Sequence, residues 1–255
     1  MHIVLASNDN YAKHLGVMLQ SLLGNSKNNA NINIYIIESN ISSKNKLKLQ
    51  RVVGRFDSEV TFITIDDNFF NSFERKIKHI SKETYYRIII PQLLSRDITK
   101  ALYLDSDMIV MEDISKLWNI NIDDYFLAAV EESGIKNNRK ESLSIPTECS
   151  YFNAGLLLIN LQKWRENNVS AQVIQFIKEN PTVIKLMDQD ALNAVLYDKW
   201  LKLDPKWNYT SDIQKRHQID NPAIIHFTGK YKPWKFEHPF KQEYVNYLNS
   251  SQWEQ

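Results

Sequence analysis

The chain has 255 residues, 43% of them hydrophobic, with 31 Lys+Arg set against 30 Asp+Glu. That balance excludes a globally basic field of the kind that binds nucleic acid. The single cysteine, Cys149, excludes an internal disulfide and a cysteine-based zinc site.

Short apolar runs alternate with segments of helical period. His2–Ala6 reads as a buried strand, and Tyr11–Leu23 as a helix with Tyr11, Leu15, Met18, Leu19 and Leu22 on one face, capped by Asn8 or Asp9. Ile32–Ile37 is a second strand, Ser43–Val53 a Lys-rich amphipathic helix and Val60–Ile65 a third strand. Lys82–Leu94 has helical character with a kink expected at Pro91, and Ala101–Leu104 is a fourth strand. Ser133–Ser150 lacks periodicity and reads as a long loop; Gly155–Leu161 is strongly apolar and strand-like, and Gln162–Glu179 follows as one helix. Asp188–Leu196 is a short helix opened by acids, Ala223–Phe227 a late strand and Phe240–Leu248 a final helix. Continuous apolar strands alternating with helices predict an α/β fold with a mainly parallel sheet. Without repeats, low-complexity tracts or Pro/Gly linkers, one domain over residues 1–255 is expected.

The six glycines are never closer than eight positions, so GxGxxG, GxxxxGK(S/T) and GxSxG cannot occur, and no HExxH pair is present. Phosphate, if handled here, is handled without a glycine cradle. A metal ion is the obvious substitute. No stretch reaches the ~18 consecutive apolar residues of a membrane span, and Ile3–Ala6 is too short for a signal-peptide core. A cytoplasmic protein is expected.

Asp105-Ser106-Asp107 directly follows the strand Ala101–Leu104. Ligands of open α/β sheets sit at the carboxyl ends of strands, and two carboxylates so close repel unless a cation compensates. Oxygen ligands suit Mg²⁺ or Mn²⁺, although an acidic capped turn has the same pattern. His226, between Ile225 and Phe227 in the last strand, is either a third ligand or a satisfied core histidine. Asp188-Gln189-Asp190 is what a helix N-terminus ordinarily carries. Gly229-Lys230-Tyr231-Lys232-Pro233-Trp234 is either a diphosphate-holding segment or a surface turn.

Taken in order, HIVLASNDNY at the start, TYYRI (84–88), KALYLDSDMIV (100–110), the tryptophan of SKLW (115–118), YFNAGLLLINLQKW (151–164), DQDALN (188–193) and HFTGKYKPW near the end resemble glycosyltransferase family 8. Its members include bacterial lipopolysaccharide galactosyl- and glucosyltransferases and glycogenin. The resemblance implies a GT-A-type fold, with 1–110 as the nucleotide-binding half and 111–255 as the donor-sugar and acceptor half carrying a C-terminal closing segment. It implies a Mn²⁺-dependent enzyme, with Mg²⁺ as a substitute, that moves galactose or glucose from UDP-galactose or UDP-glucose with retention. The acceptor would be a glycan, lipid-linked or protein-linked sugar.

By position, Asp105, Asp107 and His226 match the family's metal ligands, with Ser106 between the two acids. Ala6, Asn8, Asn10 and Tyr11 match the uracil and ribose site, with Asn8 standing where some relatives have Asp. Arg87, Glu131, Asn153, Ala154, Asp188 and Gln189 match positions around the donor sugar, beside Asp190, and Gly229 and Lys232 match the segment over the diphosphate. The resemblance implies no nucleic-acid partner. Any contact with the inner face of the cytoplasmic membrane or with a partner protein would be peripheral. The competing readings are a metal-dependent phosphotransferase or nuclease, which would want more converging acids, and a non-catalytic nucleotide-sugar-binding module. A sugar-nucleotide pyrophosphorylase would want a glycine-rich phosphate loop.

Overall fold

Runs of Ile, Leu and Val form the centre of a seven-stranded sheet in the computed structural model, which describes residues 1–65 and 82–254. In chain order the strands are β1 (His2–Asn8), β2 (Asn33–Ser39), β3 (Val60–Thr64), β4 (Lys100–Leu104), β5 (Met108–Val110), β6 (Leu127–Ala129), β7 (Leu156–Asn160), β8 (Trp200–Lys202) and β9 (Ile224–His226). The large sheet runs β3-β2-β1-β4-β7-β6-β8, and β5 pairs with β9 in a separate ribbon. The β1–β2, β2–β3, β1–β4 and β6–β8 pairs are parallel; β4–β7 and β6–β7 are antiparallel.

Alternate residues of each strand face opposite sides. Ile3 and Leu5, Leu102 and Leu104, and Leu156 and Leu158 pack with Leu15, Leu19 and Leu22 of α1 (Ala12–Asn25) and Leu49 and Val53 of α2 (Ser43–Gly54). Val4 and Ala6, Ala101 and Tyr103, and Leu157 and Ile159 pack on the other face. That face is covered by a 3₁₀ segment over Lys82–Ile89 and by helices α3 (Ile90–Leu93), α6 (Leu161–Glu166), α7 (Val169–Glu179) and α8 (Met187–Leu196). Three short helices complete the connections: α4 (Ser115–Trp118), α5 (Asn137–Ser142) and α9 (Ser211–Gln214). The last helix, α10 (Lys241–Ser251), lies against α1. None of the described helices is long and apolar enough to cross a membrane.

Several local expectations are corrected. Tyr11 occupies the cap position of α1 with no side-chain cap bond; Asn8 Oδ1 accepts the Tyr11 N–H instead, and Asp9 Oδ1 accepts from Ser42 N and Asn45 Nδ2 at the start of α2. Pro91 kinks nothing: it opens α3, where its missing N–H is not needed. The helix expected over 162–179 is two helices, α6 and α7, broken where Asn168 adopts φ 50°. The loop expected over 133–150 contains α5.

The carboxyl-terminal segment is held to α1 by an aromatic stack. The His14 ring lies 3.7 Å from that of Trp234, and its Nδ1 is 2.7 Å from the Tyr244 hydroxyl. Burial, with Lys13, Lys232 and Lys235 against the pull of Asp107, lowers the His14 pKa to about 4. An unfolded chain protonates this histidine near 6.5. Between those values the unfolded state binds the proton and the folded state does not, so stability is lost as pH falls through that window. Denaturation at pH 7 and pH 5 is therefore expected to show a smaller difference for His14→Phe than for the wild type. Equal differences would assign the effect to another group.

Candidate active site

Hydrogen-bond ladders bring the two acids of Asp105-Ser106-Asp107 to His226. At the end of β4, Leu104 pairs with Leu156 and Asp105 N donates to Gly155 O at 2.9 Å, which extends the β4–β7 ladder into the loop. On the other side Met108 pairs with His226 in the β5–β9 ribbon, and Phe227 N donates to Asp107 O. Ser106, buried between the acids, donates its hydroxyl to Ala6 O at 2.6 Å and so ties the loop to the end of β1.

The result is a cluster in which one oxygen of Asp105, one of Asp107 and a ring nitrogen of His226 lie within 4.8 Å of one another. His226 Nε2 is 3.4 Å from Asp107 Oδ1 and 3.7 Å from Asp105 Oδ2. The donor set of two carboxylates and an imidazole is one that a divalent cation takes. The backbone at Gly155 leaves the room: a Cβ there would fall 2.3 Å from His226 Cε1 and 2.8 Å from Asp105 Oδ2. These residues can hold a metal ion.

Two cations compensate the acids. The Arg87 guanidinium is buried over the Tyr103 ring, 4.5 Å away, donates to Asp105 Oδ1 (3.0 Å) and Ala154 O, and forms an ion pair with Asp188 Oδ2 (2.9 Å). The Tyr103 hydroxyl donates to the same Asp105 oxygen at 2.8 Å. Lys232 Nζ donates to Asp107 Oδ2 and to Phe227 O. Burial works to raise the Asp107 carboxyl, but His226 and Lys232 outweigh it and hold the group well below the usual carboxylate range. At Asp188 burial prevails over Arg87 and pushes the carboxyl up to about 7.

A cavity of about 280 Å³ opens onto this cluster and is lined by ten of the residues singled out in the sequence. They are Arg87, Asp105, Asp107, Asn153, Ala154, Asp188, Gln189, His226, Gly229 and Lys232. Ala154 N donates to Gln189 Oε1 at 2.9 Å, which fixes the orientation of that amide. Ala6, Asn8, Asn10 and Tyr11, at and just after the carboxyl end of β1, are not among the residues that line the cavity; Ala6 O accepts from Ser106, and Tyr11 is edge-on to Trp234.

Two nominated acids have other partners. Glu131 accepts from Ser150 Oγ and Lys202 Nζ, whereas its neighbour Glu132 accepts from Asn153 Nδ2 at 2.6 Å and is the acid connected to the cavity wall. Asp190 is fully buried and off the cavity. It accepts from Tyr151 Oη at 2.8 Å, from the amides of Lys185 and Leu186 at 2.8 and 2.6 Å, and from Arg139 through both oxygens.

Met187 was not apparent from the sequence; it lines the cavity with φ 57°, in the left-handed region, immediately before Asp188. Lys185, Leu186 and Thr228 line it too. Of these, only Lys185 carries a charged side chain, and it lies outside the family-like strings. Removing Asp190 strands the Arg139 guanidinium and two amides, so Asp190→Ala is expected to cost about 3–5 kcal/mol in chemical denaturation. A loss below about 1 kcal/mol, within the range of an exposed ion pair, would contradict the buried-clamp role.

Comparison with known proteins gives a consistent result. The model of the family described as Glycosyl transferase family 8 matches residues 2–238. General stress protein A of Bacillus subtilis is 38% identical, over 99% of this chain and 94% of that protein. The lipopolysaccharide 1,3-galactosyltransferase of Salmonella typhimurium is 26% identical, over 99% and 79%. Among solved structures, the galactosyltransferase LgtC in complex with donor and acceptor sugar analogs superposes with a TM-score of 0.86 at 26% identity, covering 98% of this chain and 96% of that one. With a mostly parallel α/β sheet of the GT-A kind and an Asp-Asp-His cluster at its carboxyl edge, the chain belongs to glycosyltransferase family 8.

Proposed function

We propose that this glycosyltransferase moves galactose or glucose from a UDP-sugar to a glycan or glycoconjugate acceptor, with retention of anomeric configuration and in dependence on Mn²⁺, for which Mg²⁺ is a poorer substitute. The observation that carries the reading is the convergence of Asp105, Asp107 and His226 beside Lys232, Arg87 and Asp188 on one cavity. A divalent ion bound there supplies Lewis-acid stabilisation of the charge that develops on the leaving diphosphate.

Lys232 adds a fixed positive charge on the same side of the cavity. Gly229, at φ 70°, provides the backbone freedom for the segment that carries Lys232 to lie over the diphosphate. Tyr11 offers a ring for stacking on uracil, and Asn8 and Asn10 offer amides to the base and ribose. At the sugar, Asp188 and Asn153 bind hydroxyl groups, and Arg87 holds Asp188 in place. The anomeric carbon becomes oxocarbenium-like as its bond to phosphate breaks. Gln189 presents an amide, a poor nucleophile, so the acceptor attacks from the face the phosphate leaves and the departing phosphate takes the acceptor's proton. The Gln189 carbonyl stabilises the positive charge. Asp190 serves this arrangement by holding the turn before α8. Residues 1–110 and 111–255 act together as one catalytic unit, working at the cytoplasmic face of the membrane on an acceptor met there.

The deciding experiment measures Mn²⁺-dependent UDP release across a panel of UDP-hexoses. UDP-galactose or UDP-glucose is expected to be turned over, and Asp105→Ala and Asp107→Ala are each expected to lower turnover by about a thousandfold with unchanged circular dichroism. Near-native activity in either variant would overturn the metal assignment. A glycosyl adduct trapped on Gln189 or Asp190 would overturn same-face attack.

A further inference from the structure

Behind His226, on the side away from the two acids, lies a file of buried amides, Asn208 and Asn153, of which only Asn153 reaches the cavity. Asn208 is completely buried and Asn153 nearly so. His226 Nδ1 is 2.9 Å from Asn208 Oδ1; Asn208 Nδ2 donates to Asn153 Oδ1 at 2.9 Å; Asn153 Nδ2 donates to Glu132 Oε2 at 2.6 Å. Amide oxygen and nitrogen are told apart only by their partners, and here the partners leave no freedom. Gly155 N, a donor only, meets Asn153 at 2.9 Å, so the Asn153 atom there is oxygen. The nitrogen of Asn153 then faces the Glu132 carboxylate, an acceptor. Asn208 must turn its own nitrogen to Asn153 and its oxygen to His226. Only an Nδ1–H satisfies that oxygen.

We infer that Asn208 is the positioning residue of the metal centre: through the file Glu132–Asn153–Asn208 it fixes His226 as the Nδ1–H tautomer and aims the Nε2 lone pair at the space shared with Asp105 and Asp107. This rests on the proposed metal role of His226 and adds what sets that role. A metal-bound histidine ordinarily gives its second N–H to a carboxylate, carbonyl or water. Here the acceptor is a side-chain amide whose orientation is dictated two residues further back.

The fold builds the contact deliberately close to the ligand. Asn208 ends a 3₁₀ turn (Pro205–Asn208) whose start Asp204 caps through Lys206 N. Tyr209 N then donates to Ile224 O, and His226 N to Tyr209 O, which sets Asn208 beside His226. Asn153 Oδ1 receives both Asn208 and Gly155, so the histidine and the glycine that makes room for it are tied at a single atom.

The test uses the full chain and Mn²⁺ alone. Nitrogen-15 spectra of the metal-free protein at pH 8 are expected to show His226 with its proton on Nδ1. In Asn208→Leu the two tautomers are expected to mix and Mn²⁺ affinity, read by electron paramagnetic resonance, to fall about 10- to 100-fold. Asn208→Asp keeps an acceptor at Nδ1, although it loses the donor that Asn153 Oδ1 accepts from, and is expected to retain the wild-type tautomer. Asn208→Ser, which withdraws the acceptor but leaves a polar side chain, replaces the leucine variant if that one does not fold. A wild-type proton on Nε2, or unchanged Mn²⁺ affinity in a folded Leu or Ser variant, would overturn the inference. Wild-type protein that binds no Mn²⁺ would overturn the metal reading instead, and the tautomer measurement would still decide whether Asn208 sets the ring.

Discussion

Two carboxylates delivered by one strand end, Asp105 and Asp107, face each other across a few ångströms in a half-buried site, and their repulsion governs what surrounds them. Each acid has its own cation: Arg87 on the β7 side for Asp105, Lys232 on the β9 side for Asp107. Arg87 can take that place only because burial over Tyr103 and a second acid, Asp188, hold its fork in a fixed plane. Lys232 can take its place because the segment after β9 folds back over Asp107 and is pinned by the stack of Trp234 on His14. The positions of α1, α8 and the chain after β9 are thus tied to one concentration of negative charge.

The sheet changes direction beside the same acids. Parallel strands β3, β2, β1 and β4 bring Asn8 and the acids to one edge. An antiparallel β7 then starts, rather than ends, at that edge, because it pairs against β4 in reverse. That reversal is what lets Asn153, Ala154 and Gly155 stand beside Asp105. A parallel strand in this position would have delivered its carboxyl end instead, and the donor N–H groups of 154 and 155 would point elsewhere.

Much of this was legible in the sequence, because long apolar runs identify central strands whatever surrounds them. β1, β2, β3, β4, β7 and β9 stand out for that reason. Of the four described three-residue strands only β9 stands out in this way; β5, β6 and β8 do not. Residues with intrinsic chemistry in family-like strings, such as Asp105, Asp107, Asp188 and Lys232, could be read directly. Asn208 sits in PKWNYT, a string with no chemical signature, and gains its meaning only from the pairing of Tyr209 with β9. Glu131 and Glu132 are equivalent on paper; the backbone decides which one turns inward, toward Asn153.

Left-handed backbone at non-glycine residues occurs six times in the described residues, at Asn40, Asp57, Ser144, Asn168, Met187 and Gln252. Only Met187 belongs to the cavity wall. A side chain in that conformation costs roughly 1–2 kcal/mol, and a chain this sparing of glycine has not relieved it there. The turn before Asp188 is therefore a place where folding stability and the aim of the Asp188 carboxyl into the cavity are in direct trade-off. A more relaxed turn would make a sturdier protein whose Asp188 no longer points into the cavity beside Arg87.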